Sequence, residues 1–141
     1  MKSNEIHRAL ADAWNRRDFE GMRALMHPEY SYTGADGKEH PGPEAGIAIA
    51  QTYANAFGDG RLEVLRVYAD GDTAIAEMRA SGTHTGDLMG TPPTGRTIRT
   101  PICNVLELRD GKIYREREYF DAMNMMVQLG LVPEPAVAAT A

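Results

Sequence analysis

The hydrophobic period of this 141-residue chain changes once, and the change dictates its fold class. From Ser3 to about Arg17 the apolar residues Ile6, Ala9, Leu10, Ala13 and Trp14 recur at i, i+3, i+4, i+7 and i+8, one stripe of an amphipathic helix. Asp18 can cap a second, shorter helix carrying Phe19, Met22, Leu25 and Met26, which His27-Pro28 stops. Tyr30 to Thr33 reads as a short strand, Gly34 to Pro43 as a loop, and Pro43 to Phe57 as a third helix with proline in its first turn. Beyond that point β-branched and alternating residues dominate, in Leu62 to Ala69, Thr73 to Gly82, Ile98 to Leu108 and Ile113 to Phe120. Asp70-Gly71, Asp110-Gly111 and the loop Thr85 to Arg96 separate these runs. Asp121 can cap a last short helix ending at Gly130, and residues 133–141 read as a frayed tail. Helices followed by an antiparallel meander predict one α+β domain over residues 1–132.

Composition removes several classes of function. With 43% hydrophobic and 25% charged residues the chain has the make-up of a globular protein, and no apolar run approaches membrane-spanning length. The first ten residues lack the apolar stretch of a signal peptide, so a cytoplasmic location is expected. One cysteine, Cys103, excludes an intrachain disulfide, and His7, His27, His40 and His84 have no metal-ligand spacing; no metal and no cofactor are expected. A net charge of -5 without a basic cluster beyond Arg16-Arg17 argues against nucleic acid as a partner. A small hydrophobic organic ligand fits this balance better.

The last hairpin decides what faces the interior. Tyr114, Glu116, Glu118 and Phe120 share one face of their strand; Ile98, Thr100, Ile102, Asn104 and Leu106 share one face of the preceding strand. A two-residue Asp-Gly turn sets Cys103 opposite Glu118. A three-residue loop with a glycine bulge at Gly111 sets Ile102 opposite Glu118 and Asn104 opposite Glu116. The bulged register is expected, because it gathers the apolar surface, the amide and the carboxylates on one side and sends Arg115 and Arg117 to the other.

Gly82-Thr83-His84-Thr85-Gly86, Met89-Gly90 and Pro93-Thr94-Gly95-Arg96, with His27-Pro28-Glu29-Tyr30 early in the chain and Gln128-Leu129-Gly130 near its end, resemble the corresponding motifs of the SnoaL-like polyketide cyclases of the nuclear transport factor 2-like superfamily. The resemblance implies a cystatin-like cone, helices packed on a curved, mixed, mostly antiparallel sheet around an apolar pocket, and usually a homodimer. It also implies a cofactor-free intramolecular aldol ring closure of a polyketide-like substrate. Counted from Asp110-Gly111-Lys112, the family's catalytic carboxylate falls on Glu118 within Arg117-Glu118-Tyr119-Phe120-Asp121, a run similar to that of the related limonene epoxide hydrolases. The histidine that assists it in the cyclases falls on Asn104, and the epoxide hydrolases' additional Arg and Asp fall on Met78 and Ala80. Hydrolysis by that second triad is therefore not expected. A non-catalytic carrier of hydrophobic ligands is the competing reading of the same fold.

Each remaining candidate has a functional and a structural reading. Asn104 on an apolar strand face either binds a carbonyl or enolate oxygen or is satisfied within the core. Asp121 is a third catalytic candidate, but its place before Ala122-Met123-Asn124 suits a helix N-cap. Glu116 is either a second pocket acid that raises the pKa of Glu118 or, as favoured here, a residue of the solvated rim. Tyr32 and His84 offer polar contacts to a substrate, and Trp14, Ile102, Phe120 and Tyr114 offer pocket walls.

Overall fold

The computed structural model describes residues 1–136, so the expected tail at 133–141 lies partly outside the described residues. The order of elements is α1 (Ser3–Asn15), α2 (Phe19–Ala24), β1 (Met26–Thr33), β2 (Glu39–Pro41), α3 (Pro43–Ala56), β3 (Arg61–Asp70), β4 (Thr73–Thr83), β5 (Thr97–Arg109), β6 (Lys112–Phe120) and α4 (Ala122–Gln128). The six strands form one sheet in the order β2-β1-β6-β5-β4-β3. β1 runs parallel to β6 and every other pair is antiparallel. The α+β class and the mixed, mostly antiparallel sheet are as expected. Irregularities in register between β1 and β6, β3 and β4, and β5 and β6 curve the sheet, since each unpaired residue bends its strand.

The stripe of α1 behaves as its spacing dictates: Ile6, Leu10, Ala13 and Trp14 are buried, each large side chain contributing about 1.5–3 kcal/mol of hydrophobic stabilisation. They meet Tyr30, Ile47, Leu106 and Ile113 in the main core. The Asp18 carboxylate caps α2 by accepting from the Gly21 amide at 2.8 Å, and Asp121 caps α4 by accepting from the Asn124 amide at 2.8 Å. Among the described residues no helix is long and apolar enough to cross a membrane.

Three local expectations are corrected. The second helix ends at Ala24, and the chain is already a strand at Met26, which pairs with Ile113 and is buried. Pairing with β6 outweighs the helical spacing of Leu25 and Met26, and Pro28 disfavours helix at the residue before it. The expected loop Gly34 to Pro43 contains β2, too short to leave a periodic signal.

The hairpin is the third correction. Asp110 and Gly111 form a two-residue turn, both with positive φ (54° and 72°), and Arg109 lies opposite Lys112. The extra residue is Tyr114, between the Leu108–Ile113 and Glu107–Arg115 pairs, and not at Gly111. Asn104 therefore stands opposite Glu118, Ile102 opposite Phe120 and Leu106 opposite Glu116. The expected and observed registers are shifted by one residue in opposite directions from the flush two-residue hairpin. Each consequently puts Asn104, Glu116 and Glu118 on the helix-covered face.

Candidate active site

The concave face of the sheet, roofed by α1 and α3, encloses a cavity whose wall is mostly aliphatic and aromatic. Small residues make the space: Ala11 on α1 and Gly46 and Ala50 on α3 stand where larger side chains would fill it. Gly46 is also a clearance, because a Cβ there would come within 2.6 Å of the Tyr30 ring. That close approach seats Tyr30 under α3.

Tyr30, Tyr32, Asn104, Glu116 and Glu118 form one hydrogen-bonded network at the cavity. The Asn104 side chain, 1% exposed, donates through Nδ2 to Glu116 Oε2 at 2.8 Å and to Glu118 Oε2 at 3.1 Å. Tyr30 donates its hydroxyl to Glu116 Oε1 at 2.6 Å, and Tyr32 donates to Glu118 Oε1 at 3.1 Å. Each carboxylate thus receives one phenol and one amide hydrogen. On the far side of Asn104, buried His7 of α1 donates from Nε2 to both Oδ1 and the main-chain O of Asn104, each at 3.0 Å. Both partners are acceptors, so the proton is on Nε2; this fixes the amide with Nδ2 toward the carboxylates. Burial pushes the His7 pKa down, opposed by the bonds to Asn104, which keeps the ring neutral.

The two carboxylates are unequal. Glu116 is buried, and its contacts from Tyr30 and Asn104 are the shorter set. Burial raises its pKa and the two hydrogen bonds lower it, the former prevailing. Glu118 is half-buried on the cavity wall with longer contacts. Burial and then the Glu116 charge push its carboxyl up to about 7, against the pull of Asn104 and Tyr32. A carboxyl there can take and return a proton near neutrality. Burial, reinforced by these carboxylates, raises the Tyr30 and Tyr32 pKa values, so both phenols remain hydrogen-bond donors.

Of the residues singled out from sequence, Glu118, Glu116, Asn104, Tyr32, Trp14, Ile102 and Phe120 all line this cavity. Glu116 is not at the rim: it is buried opposite Leu106 and held by Tyr30 and Asn104. The bulge turns Tyr114 outward, where Arg109 and Arg115 cover its ring at 3.6 and 3.7 Å. His84 is fully buried but outside the cavity; its Nδ1 accepts from the Thr94 amide at 3.1 Å and its ring lies 5.5 Å from that of Phe57. It ties the loop before β5 to the body of the fold. Asp121 is occupied as the cap of α4 and does not line the cavity. Sequence reasoning missed His7, Tyr30 and Tyr53. His7 is spaced i+3, i+4 and i+7 from Leu10, Ala11 and Trp14, a position on the buried stripe that flagged it as interior.

Residues 4–129 match the model of the SnoaL-like polyketide cyclases. The chain belongs to that family. It is 30% identical over 129 residues to the aklanonic acid methyl ester cyclase DnrD of Streptomyces peucetius, covering 89% of each chain. To the nogalonic acid methyl ester cyclase of Streptomyces nogalater it is 28% identical over 123 residues, covering 86% of this chain and 92% of the relative. The fold is that of a nuclear transport factor 2-like protein of unknown function from Burkholderia pseudomallei, with a TM-score of 0.76 at 20% identity over 92% of this chain and 98% of that one. Both of these relatives bear the name of a methyl ester cyclase.

Proposed function

We propose that this SnoaL-like protein closes a carbocyclic ring in a polyketide-like ester by intramolecular aldol condensation, without a cofactor, and that Glu118 is its acid/base. The observation that carries this reading is a carboxyl on the wall of an apolar cavity, hydrogen-bonded by Tyr32 and Asn104 and pushed up to about 7 by burial and the neighbouring Glu116. Ionised Glu118 takes a proton from the carbon next to a carbonyl, the electron pair moves onto that carbonyl oxygen, and the enolate carbon attacks a second carbonyl carbon of the same molecule. The new alkoxide then takes the proton back from Glu118. Holding the two ends of one molecule in a near-attack fold supplies up to roughly 7–11 kcal/mol, more than the factor of about 10² to 10⁴ typical of a positioned base. Cavity shape therefore outweighs proton transfer in the rate. Incubation with a panel of linear and tricyclic β-keto methyl esters should yield an isomer with one additional ring. Tight binding of these esters with no ring closure across the panel would instead mark a carrier.

The same reading includes a cytoplasmic homodimer. On the sheet face opposite the helices, Tyr68 and Ile75 are exposed and paired, Ile75 is opposite Val105, and Cys103 is opposite exposed Tyr119. This apolar band crosses four strands, and among the described residues no helix covers it. Sedimentation at tens of micromolar, roughly where a standard-size interface persists, should give a dimer; a monomer at that concentration removes the dimer from the proposal.

A further inference from the structure

Tyr53 is left over when the network is complete. Gly46, Ile49, Ala50 and Tyr53 form the stripe of α3 that faces the cavity, and Tyr53 closes it on the wall shared with Glu118 and Tyr32. The other polar aromatics of the wall are satisfied: Tyr32 donates to Glu118, and Trp14 donates from Nε1 to the Ala50 carbonyl at 3.1 Å. The half-buried Tyr53 hydroxyl makes no hydrogen bond to any described residue. A phenol in that position loses hydration when an apolar ligand displaces water, unless the ligand presents an acceptor.

Building on the aldol reading, we infer that Tyr53 is a catalytic residue that donates its hydroxyl to the substrate carbonyl oxygen on which the enolate charge develops. Its partner is thus a ketone whose α-carbon faces Glu118. Burial, and then the charge of Glu118, push the Tyr53 pKa up to about 12, so the proton stays on the phenol across the working range. In the reaction the α C–H bond breaks, the proton passes to Glu118, and the electron pair delocalises onto the oxygen that Tyr53 holds. A donor aimed at developing charge gains strength as the charge grows, which lowers the barrier and not only the ground state.

The test uses the intact protein with 1-tetralone, an enolisable aryl ketone, and with tetralin, the same skeleton lacking oxygen, at pH 8.5. Tyr53→Phe should weaken tetralone binding about three- to ten-fold and leave tetralin unchanged. Exchange of the tetralone α-protons for deuterium should slow about 10²-fold. Equal losses for tetralone and tetralin, an exchange rate unaffected by Tyr53→Phe, or no preference of the wild type for tetralone over tetralin would each overturn the assignment. Failure to cyclise any keto ester, with the tetralone differences intact, would reject the aldol reading and leave Tyr53 as a ketone donor. The two failures are therefore distinguishable.

Discussion

Glu118→Gln is expected to leave the fold and the affinity for keto esters intact while turnover falls by a factor of about 10² to 10⁴. Glutamine matches the carboxyl in shape, and its carbonyl can still accept from Tyr32 or Asn104, which now bond the carboxylate at 3.1 Å each. It cannot accept the α-proton. Asp121, three residues along the same motif, should behave in the opposite way. Its carboxylate accepts from the Asn124 amide and starts the helix that brings Met125 and Leu129 into the core. Asp121→Ala should therefore lower stability by about 1 kcal/mol with turnover per folded molecule retained. Stopped assays and thermal melts on the two variants separate chemistry from capping. An active Glu118→Gln enzyme defeats the assignment, and an inactive but fully stable Asp121→Ala enzyme moves it to Asp121.

The same residue should make the wild-type protein less stable as pH rises through neutrality. The Glu118 carboxyl is held at about 7 in the fold against its ordinary 4.5, so the folded state binds the proton more tightly than the unfolded chain does. Its contribution is fully present below about pH 4.5 and is lost as pH climbs through 7, amounting to about 3 kcal/mol at one pKa unit per 1.36 kcal/mol. Glu118→Gln cannot ionise and should escape this loss. Relative to wild type its melting temperature should rise between pH 5 and pH 8, by on the order of 10 °C for a chain of this size. A parallel pH dependence of the two proteins would mean that Glu118 is not held in its protonated form. Glu116→Gln extends the test, because removing the neighbouring charge should move the acidic limb of the pH–rate profile to lower pH.

The sequence alone contains the class of fold, since a helical stripe and a two-residue alternation cannot exchange places without turning their apolar faces to water. It also places Asn104 on the inward face, because any arrangement that buries Ile98, Ile102 and Leu106 carries Asn104 with them, and it puts Glu116 and Glu118 on a common face whose direction depends on the register. Its motifs were enough to name the family. What it could not contain is which pairs meet across long separations. His7 reaches Asn104 over 97 positions, and Tyr30 reaches Glu116 over 86. No local period encodes such contacts; they arise when α1 closes over β5 and when β1 takes its place parallel to β6. The bulge at Tyr114 is likewise a tertiary decision. Without the bulge Tyr114 would share the face of Glu116; with it, two arginines cover the Tyr114 ring and Glu116 is left to Tyr30 and Asn104. Periodicity shows which residues share a face, but only the closed core decides which hydrogen-bond partners each carboxylate finds.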